Sequence, residues 1–167
     1  MPIRLLDANV LITASNRVYP IDMFPEFWDW LAHMAEDGAV KMPVEILEEI
    51  TDGGPDEDPL KNWVHDNRDA ILLGEEIDAT LVQRVLDNGY GANLTAVELD
   101  QIGRDPFLIA CALAVPADRC VVTTEVSAPA RQRQNRKIPD VCNTMRVTCC
   151  DTITMLRELD FSTGWNR

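Results

Sequence analysis

The strongest constraint in this sequence is a repeated unit: a short apolar run that ends at an acid or a proline, followed by a stretch of helical spacing. Residues 3–6, broken only by Arg4, end at Asp7; residues 39–42 end at Pro43; residues 120–124 end at Glu125. Apolar runs this short and this sharply bounded read as buried strands, and residues 146–150 read as a fourth. Helical character covers residues 8–18, 22–36, 44–50, 60–73, 78–86, 107–115 and 152–159. In the second of these, Phe24, Phe27, Trp28, Leu31 and Met34 recur at helical spacing. Pro25 falls where a first turn tolerates it, and Gly38, Gly53-Gly54-Pro55 and Asn88-Gly89 act as stops. Residues 107–115 are apolar all round, which predicts a helix buried on every side. Strands alternating with helices predict an α/β fold, a three-layer α/β/α sandwich with a central parallel sheet of four or five strands. With no repeat and no linker in 167 residues, residues 1–167 are expected to form one domain.

In parallel sheets the functional crevice lies off the carboxyl ends of the strands, where strand order reverses. Asp7 and Glu125 stand at two such ends, and the helix bearing Glu45, Glu48 and Glu49 follows directly on another. Asp105 opens the buried helix. Each acid alone has an ordinary explanation: Asp7 and Asp105 as helix N-caps, Glu125 and most of the glutamates as solvated surface. Convergence is what capping does not require. Carboxylates brought within reach of one another raise each other's pKa, and a divalent cation removes that penalty. All-oxygen ligands select hard cations such as Mg²⁺ or Mn²⁺, whose chemistry suits phosphodiester hydrolysis.

Charge narrows the partners. Fifteen Lys and Arg against 28 Asp and Glu leave a net −13, which repels a polyanion and disfavours a protein that coats nucleic acid. An enzyme acting on nucleic acid is compatible with this balance if its cations are confined to a strip. Arg131, Arg133, Arg136 and Lys137 fall within seven acid-free residues just after Glu125. Such a run is either a solvated loop or a grip on phosphate, for which the arginine fork is suited. The five cysteines form no CxxC pair and are expected to be reduced thiols of a cytoplasmic protein. No apolar stretch approaches membrane-spanning length, and the start carries no secretory apolar region, so no membrane partner is expected. His33 and His65 lack ligand spacing, and the four tryptophans read as core or subunit contacts.

Four motifs in order resemble PIN domains. L-L-D-A-N-V-L-I at 5–12 is similar to the opening motif, with Asp7 delivered by a strand and Asn9 two residues on. P-V-E-I-L-E-E-I at 43–50 occupies the place of the second, R-D-P-F-L-I-A-C-A-L at 104–113 resembles the third, and V-V-T-T-E at 121–125 the fourth. K-I-P-D-V-C-N at 137–143 is similar to the tail of an uncharacterised PIN-like subfamily grouped with toxin–antitoxin systems. The resemblance implies that Asp7, Glu49, Asp105 and Glu125 hold Mg²⁺ or Mn²⁺, with Asn9 and Thr123 orienting them through hydrogen bonds. Glu45 and Glu49 both precede an aliphatic residue; Glu49 fits the second motif better because Gly53 follows, and Glu48 is offset on the helix. Glu125 departs from the commoner Asp by one methylene.

The implied activity is a metal-dependent endoribonuclease cutting RNA in a single-stranded loop, the toxin of a pair with a cognate antitoxin, and a homodimer. The strip Arg131, Arg133, Arg136 and Lys137 would bind RNA. Two other readings stand beside it. A haloacid-dehalogenase-type phosphatase also begins with a strand ending in Asp, but requires a second Asp where this chain has Asn9. A PIN-like interaction module would keep the shape without the chemistry.

Overall fold

The central strands of the sheet are buried on both faces, and that dictates the architecture. In the computed structural model, which describes residues 1–167, β1 (Ile3–Leu6) and β4 (Arg119–Val122) are almost wholly inaccessible. A strand covered on both sides is apolar throughout instead of alternating, and it requires helices above and below. The chain runs from β1 into α1 (Ala8–Thr13), a π-helical turn (Ala14–Val18), α2 (Pro25–Glu36), β2 (Val40–Pro43) and α3 (Val44–Thr51). Next come α4 (Pro59–Asp66), α5 (Arg68–Ile71), β3 (Leu72–Leu73), α6 (Ala79–Arg84) and a second π-helical turn (Val85–Tyr90). Then follow α7 (Ala96–Ile102), α8 (Asp105–Ala114), β4, a 3₁₀ turn (Arg133–Asn135), α9 (Ile138–Met145), β5 (Thr148–Cys150) and α10 (Thr152–Glu158). The five strands form one parallel sheet in the order β3-β2-β1-β4-β5, flanked by helices as in a three-layer sandwich. Strand order reverses between β1 and β4, where a parallel sheet opens its crevice.

The core is a single cluster reaching from Leu5 to Leu156. The apolar α8 lies across its middle, touching β1, β2, β4, α3, α6 and α9. Gly103 makes the turn into it with φ +66°, a backbone state open to glycine alone among neighbours of this kind. At the other end Arg119 is buried; it donates to the Cys111 carbonyl (2.7 Å) and forks onto Glu75 (2.6 and 2.8 Å). Trp28 and Trp30 are core residues, Trp63 packs edge-on against Trp28, and Trp165 stacks on His33.

Several elements depart from the sequence expectation. The helix expected over 60–73 breaks at Asn67, whose side-chain amide donates back to the Trp63 carbonyl. Its last two residues form β3, pairing with Met42 and Pro43 at the sheet edge. The strand expected from 146 begins only at Thr148, because Arg146 adopts the left-handed conformation that ends α9. The strand expected over 120–124 is Arg119–Val122. Neither α7 nor α9 is predicted from the apolar pattern, though Thr95 and Glu98 close a complete capping box. Past Leu86 the chain does not stop at Asn88-Gly89 but continues its π turn to Tyr90.

The central position of α8 makes a quantitative expectation. Leu108→Ala, at a fully buried position, should lower stability by about 2–5 kcal/mol. Leu99→Ala, on the exposed side of α7, should change it by no more than about 0.5 kcal/mol. Urea unfolding of both variants checks the contrast, and similar losses would mean that α8 is not the centre of the core.

Candidate functional site

The four acids singled out by the sequence come together at the carboxyl edge of the sheet. Asp7 follows β1 and is only 2 % exposed. It occupies the N-cap position of α1, but the Asn9 amide faces its carboxyl without closing a capping hydrogen bond. The carboxyl instead accepts from the Thr123 hydroxyl at 2.9 Å. Thr123 Oγ1 in turn accepts the Glu125 amide (3.1 Å), and the Asp7 amide donates to the Val122 carbonyl (2.9 Å). One threonine therefore couples the ends of the two strands that flank the switch point. Asp105 is the first residue of α8 with no capping role of its own. Glu49 is carried by the second turn of α3.

Burial and neighbouring charges set the protonation of these groups. Burial pushes the Asp7 carboxyl up to about 6; the Thr123 hydrogen bond opposes the rise, and the charges of Glu49 and Glu125 add to it. Burial pushes Asp105 up to about 8, reinforced by Asp7, Glu125 and Glu49 and opposed by Lys137. Glu49 is also raised by burial, with Arg104 acting against it. No three of these side chains form a group placed to hold a metal ion. Their donors are all oxygens, the ligand type that hard divalent cations take. Glu49 also lines a cleft of ≈ 510 Å³ between α1, α3 and residues 53–60.

Glu125 explains its extra methylene. One of its oxygens accepts the Ile138 amide at 2.7 Å, satisfying the first turn of α9. The other faces Lys137 at 3.9 Å. Among the α3 glutamates, Glu49 is the one whose charge reaches Asp7 and Asp105. Glu45 lies toward Cys111 and a separate cleft beside β3. Glu48 is exposed, 3.9 Å from Arg104. Asn9 does not orient the acids through its side chain, which is exposed and takes no part in the bonding of Asp7.

The basic strip is mostly committed within the fold. Arg133 pairs with Glu98 (2.6 and 2.9 Å), which holds that carboxyl down to about 2. Arg136 donates to the Gly89 carbonyl, the Asp140 carbonyl (3.2 Å) and Thr144 (3.0 Å). Lys137 faces Glu125, and Arg131 is exposed to solvent. Two residues that pattern reasoning misses belong to the site's surroundings. Arg104 straps the start of α8 to α3 through the Glu45 carbonyl and Asp52, both at 3.0 Å. Tyr90 places a buried hydroxyl beside Asp105, Glu125 and Asp7.

The raised acids make stability depend on pH. An unfolded Asp ionises near ~3.9, whereas Asp105 holds its proton to about 8 in the fold. Below the unfolded value both states are protonated; as pH rises toward 8 the unfolded state ionises first and the fold loses stability. Asp105→Asn should therefore stabilise the cation-free protein by about 2–4 kcal/mol at pH 8.5 and by almost nothing at pH 3.5. Urea titrations in chelator at both pH values check this. A gain independent of pH would mean that Asp105 is not held protonated.

Comparison with curated proteins and with solved structures finds no match. A family model matches residues 5–163, all but the first four and last four residues. This chain belongs to that family, described as a domain of unknown function, DUF4411.

Proposed function

We propose that this protein is a PIN-like, Mg²⁺- or Mn²⁺-dependent endoribonuclease, and that it is the toxin of a toxin–antitoxin pair. The observation that carries the reading is the convergence of Asp7, Glu49, Asp105 and Glu125 at the switch point, with two of them held partly neutral by burial and mutual repulsion. An arrangement that costs stability is kept where it serves chemistry. A bound Mg²⁺ or Mn²⁺ would supply the charge that neutralises these acids and would provide Lewis-acid chemistry for phosphodiester hydrolysis. Asp7, Asp105 and Glu49 would hold it, with Glu125 contributing the carboxyl oxygen that faces Lys137.

The chain's own groups have separable tasks. Thr123 fixes the Asp7 carboxyl, so that one oxygen faces the strand and the other is left for the site. Arg104 fixes the position of Asp105 relative to α3. Arg131 and Lys137 are the cations of the strip best placed to meet a phosphate backbone, while Arg133 and Arg136 act through the loops they hold. The exposed Val18, Met23 and Phe24 beside α2 offer an apolar face for the proposed second copy or antitoxin.

Two measurements test the reading. Mn²⁺ at about 100 times its Kd should stabilise the wild type by about 2.7 kcal/mol, and Asp105→Asn should abolish that gain. Single-stranded RNA should be cut in Mn²⁺ by the wild type, and at least about 100-fold more slowly by Asp7→Asn or Asp105→Asn. Variants that cut as fast as the wild type would remove these acids from the reaction. A wild type that neither binds Mn²⁺ nor cuts RNA would remove the nuclease reading itself.

A further inference from the structure

Two of the five free cysteines meet across the last two strands of the sheet. Strand register pairs Cys120 with Thr148 and Val122 with Cys150, so Cys120 and Cys150 project from the same face of β4 and β5. Their sulfurs stand 3.7 Å apart, within hydrogen-bonding distance for thiols. Cys120 is buried, whereas Cys150 lies on the edge strand and is only partly covered. A small solute therefore has an approach to the pair from the β5 side.

The charges around the pair favour one thiolate. Arg4, the register partner of Cys120 on β1, is 3 % exposed. It donates to the Pro2 carbonyl (2.7 Å) and to Glu158 (2.6 Å), and its Nε has no partner. A cation beside a cysteine favours the reactive anionic sulfur. The hydrogen bond between the two sulfurs lowers the Cys120 thiol below its ordinary value; burial opposes that shift and Arg4 assists it. The same bond holds the proton on Cys150. Cys142 and Cys149 differ: Cys142 is wholly buried, and its hydrogen bond with Cys149 and its burial both push its thiol upward.

We propose that Cys120 and Cys150 are a site of reversible oxidation by hydrogen peroxide, which closes a disulfide between β4 and β5. The thiolate sulfur attacks one peroxide oxygen; the S–O bond forms, the O–O bond breaks and hydroxide leaves. The second sulfur then displaces the sulfenic hydroxyl, so that the S–S bond forms as the S–O bond breaks. Both thiol protons end on the departing oxygens, and two thiols with one peroxide give one disulfide and two waters. Closure brings the sulfurs from 3.7 Å to about 2.05 Å. The strand that yields is β5, three residues long and unpaired on its outer side. The Cys150 carbonyl accepts the Thr123 amide at 3.2 Å, so its displacement reaches the residue that holds Asp7. Transient disulfides of this kind suit a redox-sensing role in a reducing compartment. The proposal stands apart from the nuclease reading.

The test treats the reduced full chain with hydrogen peroxide, unfolds it in N-ethylmaleimide to block the remaining thiols, and maps its peptides by mass spectrometry. The expected product is a single chain that has lost two hydrogens, with Cys120 joined to Cys150 and the other three cysteines alkylated. Dithiothreitol should restore the starting mass. Cys150→Ser should form no disulfide and should accumulate a dimedone-reactive sulfenic acid on Cys120. Cys149→Ser, which leaves the pair intact, should link as the wild type does. Absence of the linkage in the folded wild type, or its appearance only after unfolding in urea, overturns the proposal. So does joining of Cys142 to Cys149 in preference, or a linkage between two chains.

Discussion

The carboxyl edge of the sheet is organised by one threonine hydroxyl. Thr123 donates to Asp7 and accepts from Glu125, while the Glu125 carboxylate accepts the first amide of α9. This relay joins β1, β4, the following loop and α9 through hydrogen bonds. A buried hydrogen bond to a charged acceptor contributes more than a neutral one, and in a water-poor crevice it also fixes direction. Remove the hydroxyl, and Asp7 becomes a buried carboxyl left with the Asn9 amide alone. Parallel sheets leave strand ends open at the switch point, and in this fold the opening is closed by polar bonds that keep both acids in register.

Against that ordering stands repulsion. The charges of neighbouring acids add to the burial that raises Asp7 and Asp105, and the apolar α8 beneath them offers no compensating charge. Helix α8 does present its N-terminus to Asp105, whose partial positive charge favours an anion. Burial outweighs it, as the raised pKa of Asp105 records. Arg104 and Lys137 approach from the rim and soften the field at Glu49 and Asp105 without neutralising it. The surrounding core supplies the stability that this edge forfeits. Such a site is a local conflict embedded in a consistent fold, which is where function is expected to lie.

How much of this could be read from the chain depends on whether the controlling interactions are local. The ends of β1 and β4 are marked by abrupt loss of apolar residues, so Asp7, Thr123 and Glu125 are legible beside them. The all-apolar run from 107 to 115 announces α8 for the same reason. The short β3 is not legible, because Leu72 and Leu73 continue a plausible helical pattern and become a strand only by pairing with Met42 and Pro43. The sequence prefers Glu49 to Glu45 and Glu48 only through its resemblance to the second motif, whereas in the fold the charge of Glu49 alone among them reaches Asp7 and Asp105. Tyr90 is hidden for another reason. It lies past Asn88-Gly89, a local stop signal, and the π turn that carries it through depends on Gly89 fitting against Val141, 52 positions further along the chain.

The basic strip shows the same limit from the other side, and its resolution bears on how an acidic protein meets a polyanion. Read as a run of charges, residues 131–137 promise a positive surface. In the fold, Arg133 is neutralised by Glu98, and Arg136 is consumed by backbone carbonyls and Thr144. Lys137 sits opposite Glu125, which leaves Arg131 as the strip's exposed cation. One or two side chains do not offset a net charge of −13 at long range. Under the proposed function, a divalent cation held by Asp7, Glu49, Asp105 and Glu125 would offset part of the repulsion that a nucleic-acid strand meets at this edge.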